Sequence, residues 1–242
     1  MRWLIALCIL VGCPAVRGQE TISLYYYERP PFLIRQPDGS AAGLIGSRVA
    51  EIVGKAGLAV RWQLMPAGRQ LHLLRTGQEP ACGIGWYRTA QRETFAQFSR
   101  PIYRDRGVVI VANARFDRQK YGRLADLLAD DGVSVLLKDG LTYGSAVAAS
   151  LSTAKAHLSL VTIEQPQMIR MVAAGRASVM FATREEAEML LTGGETEEES
   201  VQLLTFPELP QAGEPRYLMC SRTIAPQTLS KLDDAIEAHS RP

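Results

Sequence analysis

Arg92 is the residue whose type and setting most directly suggest chemistry. It closes the run Thr89-Ala90-Gln91-Arg92, just after a short apolar segment, Ala81 to Trp86, bounded upstream by Gly77 and Pro80. That segment has the length and punctuation of a buried strand. Tyr87-Arg88-Thr89 then reads as a polar turn onto a helix with Arg92 in its early part. Backbone N–H groups and the positive end of a helix dipole converge at such a junction, which suits an anion. A guanidinium adds a planar fork able to grip a carboxylate through two hydrogen bonds. A solvated helix arginine fits the same spacing, since charges mostly sit in water. Farther on, Phe98-Ser99-Arg100-Pro101-Ile102-Tyr103 holds a proline expected to end that helix and return the chain to extended structure.

A second turn, Lys138 to Ser145, is punctuated by Gly140 and Gly144 and precedes an apolar helix from Ala146 to Leu151. Its N–H groups, the Thr142 hydroxyl and the Tyr143 ring could converge on a ligand. It lacks the spacing of a phosphate-binding P-loop. His72, His157 and His239 are scattered, and neither CxxC nor HxxxH occurs, so no metal site and no cofactor is expected. Met168, Met171, Met180 and Met189 read as core filler. For proton chemistry the nominated acids are Glu28, Glu185 and Glu186, without a nucleophile–base pair to support them.

The N-terminus speaks to compartment. Met1-Arg2, the apolar run Trp3 to Val11 and the small residues around Pro14 to Gly18 have the form of a secretory signal over residues 1–18. Leu10-Val11-Gly12-Cys13 also fits a lipoprotein box, which would anchor the chain at Cys13; Pro14 directly after it favours the soluble, periplasmic form. Removing residues 1–18 takes Arg2 and Arg17 and no acid from totals of 27 bases and 25 acids, leaving the signs balanced. A nucleic-acid footprint therefore has no support. Two cysteines then remain, Cys82 and Cys220, in an oxidising compartment where a pair is more often bridged than free.

The elements that must position these groups follow from apolar pattern. Strand, helix, strand, helix, strand over Thr21 to Trp86 predicts right-handed crossovers and a parallel sheet. Gly107 to Ala112 (GVVIVA) is a buried strand, and Asn113 to Tyr121 reads as a polar connector. The alternation restarts from Leu124 and runs to Phe206. A proline-rich connector, Pro207 to Pro215, leads to a last strand, Arg216 to Ser221, and a terminal helix from Pro226. The expectation is an α/β chain of two lobes, each a mostly parallel sheet flanked by helices. Residues 19–112 with 216–242 form the first, residues 113–215 the second, and the chain is a monomer.

Thr89-Ala90-Gln91-Arg92 followed by Phe98-Ser99-Arg100-Pro101-Ile102-Tyr103 resembles the ligand segment of periplasmic solute-binding proteins of the polar amino-acid group. Pro30-Pro31-Phe32 near the first strand matches a further family feature, and Gly175-Arg176-Ala177-Ser178 matches the family's G-R-x-D at three of four places. The resemblance implies a two-lobed periplasmic-binding-protein fold and capture of a small carboxylate-bearing or otherwise anionic ligand between the lobes. It implies that Arg92 clamps the carboxylate, with Arg69 and the turn at Thr142-Tyr143 as second contacts. Tyr27, Glu28 and Phe32 sit where the family places first-lobe pocket residues. Gly85, Trp86 and Tyr87 replace the expected small hydroxyl residues and promise a more aromatic floor. Where the family often carries an aspartate for the ligand's α-amino group stands Thr183, flanked by Arg184. The family architecture also sets the returning strand antiparallel beside the strand of Cys82, which implies a Cys82–Cys220 bridge. The implied partner is a membrane permease of an ABC transporter or a sensor. An enzyme of the periplasmic dehydratase type on the same scaffold is the rival.

Overall fold

The computed structural model describes residues 21–192 and 200–240. The expected signal segment, the alternative anchor at Cys13 and most of the acidic loop after Thr192 lie outside the described residues.

Two mixed sheets organise the chain. The first runs Ala59–Leu64, Thr21–Tyr26, Ala81–Tyr87, Pro215–Ser221, Ala96–Phe98, with Tyr103–Arg104 also paired to Pro215–Ser221. Its first three strands are parallel, as the strand–helix alternation predicts, and Pro215–Ser221 returns antiparallel. The second runs His157–Val161, Ser134–Lys138, Val179–Thr183, Val108–Asn113, Val201–Leu204. Helices cover both sheets, and the core divides accordingly into clusters on either face of each. Central position explains the Tyr25-Tyr26-Tyr27 run. All three rings are buried. A parallel strand covered on both faces has no solvent side: Tyr26 packs into one layer, Tyr25 and Tyr27 into the other.

Two expectations need correction. Val108–Asn113 does not close the first sheet; it pairs antiparallel with Val179–Thr183 and Val201–Leu204 in the second. The chain therefore crosses before this strand, around residues 105–107, not along residues 113–121. Asn113 to Tyr121 instead folds onto the second core, where Phe116 and Tyr121 stack with ring centroids 5.6 Å apart. The return crossing falls within the expected stretch, just before Pro215. The second correction concerns the helix carrying Arg92. It is a single turn, Ala90–Glu93, and Ala96–Phe98 is already strand, well before Pro101.

The two crossings run side by side. Gly213 N–H donates to the Asp105 carbonyl at 2.8 Å. Gly107 has φ +109°, and a Cβ there would stand 2.5 Å from the Pro210 carbonyl oxygen, so a side chain is excluded by contact as well as by conformation.

Cys82 and Cys220 are directly opposed on adjacent antiparallel strands and joined by a disulfide across 138 residues of sequence. The bridge fastens the returning strand to the strand that leads to Arg92. Closing so long a loop is worth about 5 kcal/mol in the chain-entropy model, an upper figure for a real bridge. The expected outcome is that Cys82→Ala/Cys220→Ala lowers the urea-unfolding free energy by about 2–5 kcal/mol. A double variant with an unchanged midpoint would show that the bridge contributes nothing.

Candidate functional site

The strand Ala81–Tyr87 delivers the floor of the cleft. Its pairing with Pro215–Ser221 slips between Tyr217 and Leu218, because Tyr217 faces Trp86 while Leu218 faces Ile84. Gly85 is thus the extra residue of a β-bulge, at φ +78°. The bulge frees the Gly85 carbonyl to accept from Arg216 Nη1 at 2.9 Å. Trp86 is buried, its indole N–H donating to Gln70 Oε1 at 3.1 Å, while Gln70 Nε2 holds the Met65 carbonyl. The ring is therefore a fixed platform.

Arg92 lies over that platform, its guanidinium carbon 4.7 Å from the Trp86 ring centroid. Thr89 explains the T-x-x-R spacing mechanically. Its hydroxyl accepts from the Arg92 backbone N–H at 3.3 Å and caps the single turn. The Arg92 side chain is buried, with Nη1 donating to the Tyr87 carbonyl at 2.8 Å and Nη2 reaching the Gly140 carbonyl at 3.5 Å. Those partners are neutral; among the described residues no carboxylate forms an ion pair with it. Burial pulls its pKa down to about 10, and the nearby Arg216 cation pulls the same way.

Two further guanidiniums share the seam, and each has its own acid. Arg216 Nε donates to Asp105 at 2.7 Å and Nη2 to the Tyr87 hydroxyl at 3.0 Å, while that hydroxyl donates to the other Asp105 oxygen. Arg29 forms a two-pronged pair with Glu186, Nη2 to Oε2 being 2.9 Å, and also donates to the Tyr27 hydroxyl. Burial opposes charge on both members. The mutual attraction outweighs it, raising Arg29 well above its ordinary value and lowering Glu186. Arg29 follows a first-sheet strand and Glu186 lies on the helix Arg184–Thr192 beside the second sheet, so this pair spans the cleft.

A small space of about 10 Å³ lies among these groups. Arg29, Arg92 and Arg216 face it with Tyr27, Gly85, Trp86 and Tyr87, and Leu141 and Thr142 close it from the second sheet's turn. An adjoining space of about 30 Å³ shares Tyr27, Arg29 and Leu141 and is reached by Glu28 from its exposed edge.

Of the residues expected at the site, the structure gathers Arg92, Tyr27, Gly85, Trp86, Tyr87 and Thr142 in one place. Arg69 is exposed and lines neither space; its neighbour Gln70 faces inward instead. Tyr143 belongs to the second core, its hydroxyl accepting from the Lys138 backbone N–H at 2.9 Å. Thr183 is occupied within the protein: its hydroxyl donates to Glu186 Oε2 at 2.8 Å in a capping box at the start of Arg184–Thr192. Arg184 points elsewhere and lines neither space. Of the acids nominated for proton transfer, Glu28 stands at the exposed edge of the adjoining space, and the other two are engaged. Glu186 is held ionised by Arg29, and Glu185 accepts from Tyr103 and from the Arg106 backbone N–H.

Arg29, Arg216 and Asp105 escaped the sequence reading. The spacing Thr183-x-x-Glu186 was the one available signal, because a capping box fixes the glutamate against the helix start.

The Arg29–Glu186 pair carries a pH dependence of definite sign. The folded-state pKa of Glu186 lies below its unfolded value, so its contribution is full above the ordinary carboxylate range and is lost as pH falls through the lowered value. Glu186→Ala at neutral pH is expected to cost about 3–5 kcal/mol by leaving Arg29 buried and unpaired. Urea midpoints from pH 7 to pH 3 should therefore fall more steeply for the wild type than for the variant. Parallel slopes would exclude Glu186 as the linked group.

Comparison with protein-family models and with curated proteins finds no match. Solved structures do match. An ancestral arginine-binding protein bound to arginine superposes with a TM-score of 0.73 at 20% identity, over 90% of this chain and 91% of that one. The arginine-, lysine-, histidine-binding protein ArtJ from Geobacillus stearothermophilus gives 0.70 at 15% identity, over 90% and 88%. The ancestral amino acid-binding protein AncCDT-1, a precursor of cyclohexadienyl dehydratase, gives 0.69 at 18%, over 90% and 88%. At these identities the likeness is one of architecture, and the architecture is that of the type II periplasmic binding proteins.

Proposed function

We propose that this chain is an extracytoplasmic solute-binding protein that closes two lobes over a small carboxylate-bearing ligand and presents it to a membrane permease. One observation carries the reading. Arg92 is a buried guanidinium on an aromatic platform, lining a small space in the cleft, with only neutral partners among the described residues. Arg29 and Arg216 have their acids already, so the three cations and two carboxylates around the cavity leave one positive charge in excess. A carboxylate bound there would restore the balance and accept the two-pronged fork. The depressed pKa of Arg92 still leaves it charged at neutral pH.

The matched proteins bind amino acids, which supports that ligand class in outline. The α-amino group has no evident anchor here, since Thr183 and Glu186 satisfy each other and Arg29. The favoured ligands are therefore organic acids, or amino acids whose amino group is acylated or projects to solvent. Closure proceeds through the paired crossings near residues 105–107 and 211–214, driven by contacts made only when both lobes meet.

Native mass spectrometry of the purified protein, then a thermal-shift screen of carboxylates against their amides, tests this. A ligand at 100 times its dissociation constant adds about 2.7 kcal/mol, roughly 2–4 °C of melting temperature per kcal/mol. Arg92→Met should abolish the shift. It should also stabilise the unliganded protein, because the native state no longer holds a dehydrated charge. Restoring the ordinary pKa is worth on the order of 3 kcal/mol, some of which is lost with the Tyr87 contact. Arg92→Lys should bind weakly, an ammonium lacking the fork. A carboxylate response that survives Arg92→Met would overturn the reading.

A further inference from the structure

We propose that the larger space beside the Arg92 cavity is a second subsite of the same cleft, shaped for an uncharged, largely apolar arm bearing a hydrogen-bond acceptor, with the Gln165 side-chain amide as donor. The inference rests on the reading of Arg92 as the carboxylate anchor and extends it to the rest of the ligand.

The walls set the character of the arm. Tyr27 and Pro30 face the space from the first-sheet side, and Leu141, Pro166, Met189 and Leu190 face it from the other. Tyr27, Arg29 and Leu141 wall both spaces, so the two lie side by side, and an arm held in the larger one would extend past these side chains.

Gln165 supplies the polar point. It is only 6% exposed, and its Nε2 is shielded from solvent without a hydrogen-bond partner. An orphaned buried amide donor is disfavoured, and native proteins rarely keep one without a reason. Its position is rigid. Gln165 opens the helix Gln165–Ala173, followed by Pro166, and Gln167 Oε1 accepts from the Glu164 backbone N–H at 3.3 Å. The residue is thus fixed by a helix start and lines the larger space, with its donor unpartnered beside it.

The remaining charges argue for a neutral arm. The Lys138 ammonium pairs with the Glu164 carboxylate, donates to the Ile163 carbonyl at 3.4 Å and stands 5.6 Å from the centre of the Tyr27 ring. Arg29 is held by Glu186. An ammonium or carboxylate on the arm would compete with one of these pairs in a site of low water content, whereas a carbonyl oxygen meets only the waiting Gln165 donor. The ligand class is a carboxylic acid with a keto or amide group some carbons from the acid.

The test uses hexanoate and octanoate, the same chains carrying a keto group one carbon from the far end, and the same chains ending in an ammonium. Affinities are measured by calorimetry on the wild type, Gln165→Leu, Gln165→Met and Arg92→Met. The keto acid of the better-fitting length is expected to bind about tenfold more tightly than its plain counterpart, and the amino acid more weakly than either. In both Gln165 variants the ratio of keto to plain affinity should collapse to about one, and Arg92→Met should remove binding of every probe. A wild type without keto preference, or a preference that survives both Gln165 variants, overturns the subsite while leaving Arg92 as anchor. Failure of every acid to bind the wild type overturns both readings. One arm needs no ligand. Removing an unpartnered donor should leave the melting temperature of the unliganded Gln165→Leu protein unchanged or raised, and a drop of several degrees would show that Nε2 is already engaged.

Discussion

Dehydrated guanidinium charge at the seam between the sheets is the constraint on which the rest of the molecule depends. An arginine taken out of water is tolerated only with an acid, an aromatic face or a ring of carbonyls around it. Arg216 has all three, Arg29 has an acid and a tyrosine hydroxyl, and Arg92 has a carbonyl and an indole face but no acid. The first two therefore hold structure together. The third leaves the empty cleft electrostatically unfinished, and the role proposed for Arg92 rests on that asymmetry among three residues bearing the same side chain.

Mechanics and chemistry meet in the same few residues. Asp105 lies on one crossing between the sheets, and Arg216 begins the strand that follows the other. Tyr87, which their ion pair encloses, ends the strand that carries the Gly85 bulge and lends its carbonyl to Arg92. The Cys82–Cys220 bridge ties the far ends of those two strands. The floor of the cleft is thus braced at one end by a covalent link and at the other by a buried ionic network. The second sheet contributes the turn at Leu141 and Thr142, the Glu186 carboxylate and the Gln165 amide, all from segments that would move together if the crossings flex.

Local pattern was legible and long-range pairing was not. The strand–helix alternation over Thr21 to Trp86 includes the helix Gly43–Lys55, and the breakers Gly77 and Pro80 bound the strand with Cys82. GVVIVA announced a strand buried on both faces but carried no mark of which sheet would take it, so the lobe boundary came out on its wrong side. The polar stretch after it looked like a connector because Phe116 and Tyr121 were too sparse to betray a docked loop. Arg29 and Glu186 stand 157 residues apart, and Arg216 and Asp105 stand 111 apart. Nothing in the neighbourhood of either arginine names its acid. Thr89-x-x-Arg92, by contrast, is a local device, with hydroxyl, capped amide and guanidinium within one turn; its spacing alone fits a solvated arginine equally, and it is the family resemblance that points it to the cleft.

Thr183 and Glu186 show how such a scaffold could change its ligand without changing its fold. An acid at the end of the central strand Val179–Thr183 would face the cleft free to meet a cation. Here the acid sits three residues later, on the first turn of the helix, where the Thr183 hydroxyl and backbone N–H orient it toward Arg29. The carboxylate that might have held an ammonium group instead holds a guanidinium of the protein, and the pair draws the two sides of the cleft together. A ligand bringing its own ammonium would have to displace a two-pronged, fully buried partner. A ligand bringing only an anion and a neutral arm displaces nothing. On the proposed reading the internal ion pair would act as a filter on ligand charge as well as a clasp, with Arg92, which has no acid among the described residues, setting the sign admitted.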